Sequence, residues 1–306
     1  MHENDLHLTP EVTETMIRRQ FPQWDHEPVQ WLDSAGTVNV IVRIGDSLAA
    51  RFRRQAADPK DVAHDLRREA DALDELASAV SVPVPTAVAA GEPAPEYPLP
   101  WPVHTWLPGE IATPTSVAGS QRFCDDLVTL ISELRQAHTQ ERVFSGTQRG
   151  GELSVHDEWM ETCFRRSEGL LDVPGLRRLW ERFRELPHQE PDVMAHKDII
   201  PGNLLISDGR LVGLLDGGSF GPADPALDLV SAWHLLDSPL RDHLRHSLDC
   251  SDLQWQRGAA WAFQQSMGLV WYYNDTNPVM RDLGRSTLTR IRSDNELFEL
   301  SSGESP

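Results

Sequence analysis

The chain has 306 residues, 40% of them hydrophobic, so it is globular rather than disordered and long enough for two lobes around a large core. Its formal net charge of −19, with no basic cluster to offset it, argues against nucleic acid and anionic membrane as partners; it could attract a cationic substrate, although many proteins use such acidity only to stay in solution. No apolar run reaches membrane-spanning length, the first residues show no signal-peptide pattern, and Cys124, Cys163 and Cys250 lack metal-ligand spacing, which together predict a cytoplasmic protein with reduced thiols.

The first predicted element is a helix over Thr9–Arg19, with Thr9 as its N-cap, Pro10 at the first helical position and Val12, Met16 and Ile17 as an apolar stripe. Gly45-Asp46 between the apolar runs Val38–Ile44 and Ser47–Phe52 predicts a hairpin. A helix follows over Asp61–Ala79, with Leu66, Leu73 and Leu76 on a helical period, and Pro83 and Pro85 end it. Strands are expected at Val84–Ala90 and Val103–Leu107, the second closed by Pro108-Gly109. Beyond this point the pattern predicts helices at Ser120–His138, Asp157–Gly169, Gly175–Glu185, Asp224–Leu236, Leu253–Trp271 and Asn277–Arg292. Two short strands, Asn203–Ile206 and Leu211–Leu215, interrupt them. Strands dominate the first third and helices the rest, so residues 1–107 are expected to form a small sheet-rich lobe and residues 108–306 a large helical one.

The sequence His196-Lys197-Asp198-Ile199-Ile200-Pro201-Gly202-Asn203 is followed by an apolar run, Leu211–Leu215, that ends in Asp216. This is the order of parts that phosphoryl transfer needs: a carboxylate to orient a hydroxyl nucleophile, then an Asn and an Asp to hold Mg²⁺ on the phosphates. Asp198 is the candidate base, and Asn203 and Asp216 are the candidate metal ligands. Each Asp alone would be an ordinary turn or cap residue; the spacing of all three gives the reading its weight.

With this motif the layout resembles the aminoglycoside phosphotransferase family, over about Thr9 to Arg292. Asp198, Pro201, Gly202, Asn203, Asp216 and Asp224-Pro225-Ala226-Leu227-Asp228 match the family's order. Tyr97 to Val103 and Trp106-Leu107-Pro108-Gly109-Glu110 resemble its inter-lobe connection, and Gln20 to Trp24 an N-terminal element of bacterial members. The resemblance implies an α+β, two-lobed, protein-kinase-like fold with a small antiparallel-sheet N-lobe and a large helical C-lobe. It also implies a Mg²⁺-dependent enzyme that moves a phosphoryl group from ATP or GTP to a small-molecule hydroxyl, with an aminoglycoside or related cationic antibiotic as the first expectation for the acceptor. A monomer or weak dimer is expected.

The family pattern further implies a phosphate-binding cation paired with a helix carboxylate. Arg51, on the third strand of the pattern, and Glu69, on the next helix, fill these places, with Arg53 and Arg54 as adjacent alternatives. Ser34, Gly36 and Thr37 stand where the nucleotide loop belongs, and His104 and Trp106 belong to the hinge expected to offer backbone groups to the base. Gly217-Gly218 is expected to let the backbone turn beside the phosphates, His196 to stabilise the loop, and Asp228 to hold the loop's backbone. Lys197 departs from the Gly usual in the family. Trp261, Gln264, Gln265, Gly268 and Tyr272 fall at helical spacing, as core or as an acceptor wall. Asp237 and Asp275 are candidates to meet a cationic acceptor. The competing readings are a kinase of another small alcohol, such as a macrolide sugar, a choline-like amine or a metabolite, and a nucleotide-binding pseudoenzyme. A protein kinase is disfavoured by the missing Gly-rich loop and the missing Ala-Pro-Glu segment.

Overall fold

The computed structural model describes Leu6 and residues 8–32, 39–294 and 297. The chain divides into two compact units. The first comprises the described residues of Met1–Ser78, Pro83–Gly109 and Gly213–Ser219; the second comprises Ala79–Val82, Glu110–Val212 and Phe220–Pro306.

The first unit begins with α1 (Pro10–Gln20), where Thr9 Oγ1 accepts the Val12 N–H at 3.3 Å and satisfies a donor that the helix start would otherwise leave open. A five-stranded antiparallel sheet follows, in the order β1-β2-β3-β5-β4. Its strands are β1 (Val29–Leu32), β2 (Asn39–Ile44), β3 (Leu48–Arg53), β4 (Ala87–Gly91) and β5 (Trp101–Thr105). β1, which the sequence pattern did not single out, pairs Val29 with Ile44. Gly45 turns the β2–β3 hairpin at φ 57°, a conformation that favours glycine.

Alternation along β2 and β3 sends Val40, Val42, Ile44, Ala50 and Phe52 into a core with Met16, Ile17 and Trp101. Each buried Val, Ile, Met or Phe side chain among them contributes roughly 1.5–3 kcal/mol. The same alternation turns Ala49, Arg51 and Arg53 to the opposite face of β3, where His104 lies beside Ala49 in the paired strand. α2 (Pro59–Ala79) starts two residues before the predicted Asp61.

In the second unit, β6 (Glu110–Ile111) pairs with β8 (Leu204–Ser207), and β7 (Val193–Ala195) pairs with β10 (Gly221–Ala223); β9 (Arg210–Leu214), the neighbour of β8, begins in the second unit, and its last two residues, Gly213 and Leu214, are counted with the first. The helices are α3 (Gln121–Gln136), α4 (Asp157–Arg166), α5 (Val173–Phe183), α6 (Val230–Leu235), α7 (Ser238–Ser247), α8 (Asp252–Tyr272) and α9 (Pro278–Arg292). The helix predicted over Asp224–Leu236 is instead a turn, a short 3₁₀ segment at Leu227–Leu229 and then α6.

Asp224 is the reason for that break. Its buried carboxylate caps the Ala226 N–H at 2.9 Å and is held by Arg257 Nε and Trp261 Nε1, both at 2.8 Å. α7 was not predicted, and Asp237 is its N-cap, accepting from Leu240 N–H at 3.1 Å. α8 is buried on most of its surface and packs on α9. Gly284 permits that approach, since a Cβ there would lie 2.9 Å from the Ser266 carbonyl oxygen. Among the described residues no helix is long and apolar enough to cross a membrane.

Candidate active site

β7 delivers the chain to His196, which is fully buried, and the loop begins there. Asp228 accepts the His196 N–H at 2.8 Å through Oδ2 and the Lys197 N–H at 2.9 Å through Oδ1. Burial raises the Asp228 pKa above the usual carboxylate range, against the opposing pull of His196 and these two amides. Lys197 sits at φ 74°, and its ammonium lies 5.8 Å from the centre of the Phe144 ring. Burial lowers the Lys197 pKa.

The loop then folds back on itself. Ile200 N–H donates to the Asp198 carbonyl at 2.9 Å, and Asn203 N–H donates to the Ile200 carbonyl at 3.0 Å. These bonds bring two of the sequence candidates together: Asn203 Nδ2 donates to the Asp198 carbonyl at 2.9 Å and to Asp198 Oδ2 at 3.1 Å. The Asn203 amide oxygen is thereby left as the atom for a hard cation.

Two further residues touch the carboxylate. Arg149 Nη2 and Gln265 Nε2 each reach Asp198 Oδ1 at 3.1 Å. Arg149 comes from the stretch between α3 and α4, which has no periodicity, and nothing in the sequence marked it. Gln265 stood in the helical stripe, but its partner was not readable.

Arg149 and Gln265 also line an open groove of about 370 Å³, together with Trp159, Gln264, Leu269 and Tyr272. Trp159 is 40% exposed and Tyr272 is 53% exposed. Gly268 lets Trp159 lie close, as a Cβ would fall 2.9 Å from its ring. Of the predicted stripe, Gln264, Gln265, Gly268 and Tyr272 line this groove, whereas Trp261 is fully buried. Asp275 accepts from its neighbour Asn274 at 2.8 Å.

In the first unit, Arg51 Nη2 donates to both oxygens of Glu69, and the two side chains are 23% and 18% exposed. Burial lowers the His104 pKa, and the Arg51 charge adds to that effect. The Thr105 N–H is taken by the Thr86 carbonyl at 3.0 Å and the Trp106 N–H by the Ser47 carbonyl at 2.7 Å, while Arg43 lies over the Trp106 ring at 5.2 Å. Asp216 stands at φ 60°, at the start of the turn Gly217–Ser219.

The expected backbone freedom of Gly217-Gly218 is not what the structure uses, because the left-handed residue is Asp216. The two glycines instead allow close approach to α2: a Cβ would fall 2.3 Å from Leu76 Cδ2 at Gly217 and 2.8 Å from Glu69 Cγ at Gly218. Ser34, Gly36 and Thr37 lie outside the described residues. Among the described residues no group of three or more His, Cys, Asp or Glu side chains could hold a metal ion. A Mg²⁺ that keeps its waters needs only one or two carboxylate or carbonyl ligands from the protein.

An antiparallel five-stranded unit with a paired strand Arg and helix Glu, and a helical unit with a His-x-Asp-x-x-x-x-Asn loop, define a phosphotransferase with the protein-kinase-like fold. Residues 23–261 match the phosphotransferase enzyme family, and the chain belongs to that family. It is similar to the aminoglycoside 3'-phosphotransferase of Streptomyces fradiae, with 28% identity over 235 residues, 72% of this chain and 83% of that one. Among solved structures, the GDP complex of wild-type aminoglycoside 2'-phosphotransferase-IIIa superposes with a TM-score of 0.69 at 16% identity, covering 94% of this chain and 100% of the other. A macrolide 2'-phosphotransferase from Brachybacterium faecium gives a TM-score of 0.57 at 15% identity, covering 85% and 91% of the two chains. At such identities these likenesses speak for the fold.

Proposed function

We propose that this phosphotransferase moves the terminal phosphoryl group of ATP or GTP, bound with Mg²⁺, to a hydroxyl of a small molecule of the aminoglycoside type. The observation behind this reading is the Asp198 carboxylate, fixed through both oxygens by Asn203, Arg149 and Gln265 at the edge of a groove. A carboxylate so placed orients an acceptor hydroxyl and takes its proton as the oxygen–phosphorus bond forms. The bond from the terminal phosphorus to the bridging oxygen breaks, and the nucleoside diphosphate leaves with that electron pair.

Asn203, through its amide oxygen, and Asp216, through its carboxylate, are the residues that would hold Mg²⁺, which supplies charge neutralisation on the phosphates when bound. Arg51, oriented by Glu69, is the phosphate-contacting cation. In this reading residues 1–107, including Ser34, Gly36, Thr37, His104 and Trp106, serve the nucleotide, and residues 108–306 serve catalysis and the acceptor. The protein works in the cytoplasm as a monomer or weak dimer.

The walls of the groove favour a second acceptor class. Trp159 and Tyr272 offer ring faces, and the charged group on the lining is Arg149 rather than a carboxylate. That surface suits an acceptor with an apolar ring face, such as the sugar of a macrolide, better than a polycation. A coupled assay of nucleotide consumption across aminoglycosides, macrolides and metabolite alcohols, with Asp198→Asn as the blank, tests both. Acceptor-dependent turnover by the wild type alone supports the proposal, and the responding class decides between the readings. Equal turnover by the blank would remove Asp198 from the chemistry.

A further inference from the structure

Beyond Gln265, a buried chain of hydrogen bonds runs away from Asp198 and has no part in the chemistry above. Gln265 Oε1 lies 3.0 Å from His234 Nε2, and His234 Nδ1 lies 2.9 Å from Thr287 Oγ1. His234 and Thr287 are fully buried. The three side chains come from α8, α6 and α9, so the chain ties Asp198 to three helices of the second unit.

We infer that His234, backed by Thr287, is a positioning residue for Asp198 that acts by fixing the amide of Gln265. The inference rests on the reading of Asp198 as the base. The polarity of the chain follows from what each group can donate. An ionised carboxylate only accepts, so Gln265 must show it the NH₂ group. Gln265 Oε1 then needs a donor, and the atom in reach is His234 Nε2, which therefore carries hydrogen. The neutral imidazole has its bare nitrogen at Nδ1, and Thr287 Oγ1 supplies the proton there.

Thr287 Oγ1 is also 2.9 Å from the Leu283 carbonyl oxygen, but a hydroxyl has one proton, and that carbonyl has the helix ladder to satisfy it. Turning the amide over would set Gln265 Oε1 against Asp198 Oδ1, two acceptors in contact. Loss of the His234 donor removes one of the two contacts that fix the Gln265 amide and leaves its Oε1 without that partner. The charged groups that face His234 are Asp198, Arg149 and Arg290, whose Nη1 donates to the His234 carbonyl at 3.1 Å.

An ordinary core histidine would be replaceable by any side chain of similar volume. A positioning histidine is replaceable only by one that keeps the donor. Steady-state kinetics on the acceptor found by the screen should separate the two, using His234→Leu, His234→Gln, Gln265→Leu, the double variant His234→Leu/Gln265→Leu and Asp198→Asn. His234→Leu should lower kcat about tenfold, the scale of a hydrogen bond to a charged group, and leave the nucleotide KM within about twofold. Gln265→Leu should do the same, and the double variant should be no worse than either single one. His234→Gln presents an amide N–H near the position of Nε2 and should return kcat to within about threefold of wild type.

Wild-type kcat in His234→Leu, with Asp198→Asn down a hundredfold, would overturn the positioning role and leave Asp198 as the base. Equal losses in His234→Leu and His234→Gln at matched thermal midpoints would also overturn it. Full activity in Asp198→Asn would remove the base and the positioning role together. Should His234→Leu fail to fold, Thr287→Val takes its place, with an expected loss of about threefold in kcat; an unchanged kcat there would overturn the inference.

Discussion

Lys197 holds a left-handed backbone at φ 74°, and Asp228 pins it there by accepting its N–H at 2.9 Å. An L-residue in that region costs roughly 1–2 kcal/mol. Glycine would remove the strain and give back about 0.5–1 kcal/mol in backbone entropy. Lys197→Gly should therefore leave stability within about 1 kcal/mol of wild type, even though no ammonium then faces the Phe144 ring. Asp228→Asn should cost about 2–3 kcal/mol, because its NH₂ would face a backbone N–H that the carboxylate now satisfies. Urea unfolding of both variants checks this. A Lys197→Gly variant less stable than Asp228→Asn would show that the side chain, not the backbone, secures the loop.

Arg51 meets Glu69 by offering one guanidinium nitrogen to both carboxylate oxygens. Arg51→Ala should weaken nucleotide binding, and Arg51→Lys should restore only part of it, since an ammonium cannot reproduce the guanidinium fork. Glu69→Ala should hurt less, and the double variant should match Arg51→Ala alone. Calorimetric titration with nucleotide gives all four values. Full additivity would mean that the pair does not act as a unit in binding and would move the phosphate role to Arg53, on the same face of β3.

The fold class and the family were legible because they rest on local signals: hairpin glycine, apolar periodicity and one dense motif. What stayed hidden depends on contacts between distant residues. Arg149 reaches Asp198 across 49 positions and Gln265 across 67, and neither pairing leaves a local trace. The helix expected from Asp224 failed for the same reason. Asp224 has a helical pattern around it, yet its carboxylate is captured by Arg257 and Trp261 and caps Ala226 instead. Gly217 and Gly218 suggested a flexible turn, but their small size serves packing on α2, which spacing cannot reveal.

The motif gives Asn203 and Asp216 different charges toward Mg²⁺. Asp216→Ala should therefore lose more Mg²⁺-dependent nucleotide affinity than Asn203→Ala, which removes only a carbonyl dipole. Asn203→Ala should in addition lower kcat, because the Asn203 amide also holds Asp198 Oδ2 at 3.1 Å. Nucleotide titrations with and without Mg²⁺, beside steady-state kinetics, read both effects. Equal affinity losses in the two variants, or binding indifferent to Mg²⁺, would sink the assignment.

His234 also predicts a pH dependence of stability. Burial pushes its pKa down from 6.5 to about 4, while in the unfolded chain it titrates near the ordinary value. Between those two pH values the unfolded state binds a proton that the native state does not. The stability held by the neutral, buried ring is complete above pH 6.5, falls as pH drops toward 4, and levels off below. The whole effect is about 3 kcal/mol, from a shift of roughly 2.5 units at 1.36 kcal/mol each. Other carboxylates titrate in the same window, but they do so equally in His234→Gln, which has no ring to protonate. The stability of the wild type minus that of His234→Gln, from urea unfolding at pH 7.5, 6, 5 and 4, should therefore fall by about that amount as the solution is acidified. A difference that stays flat across the series would mean that His234 takes up its proton in the native state as readily as in the unfolded one. The neutral tautomer that the Gln265 contact calls for would then have no support.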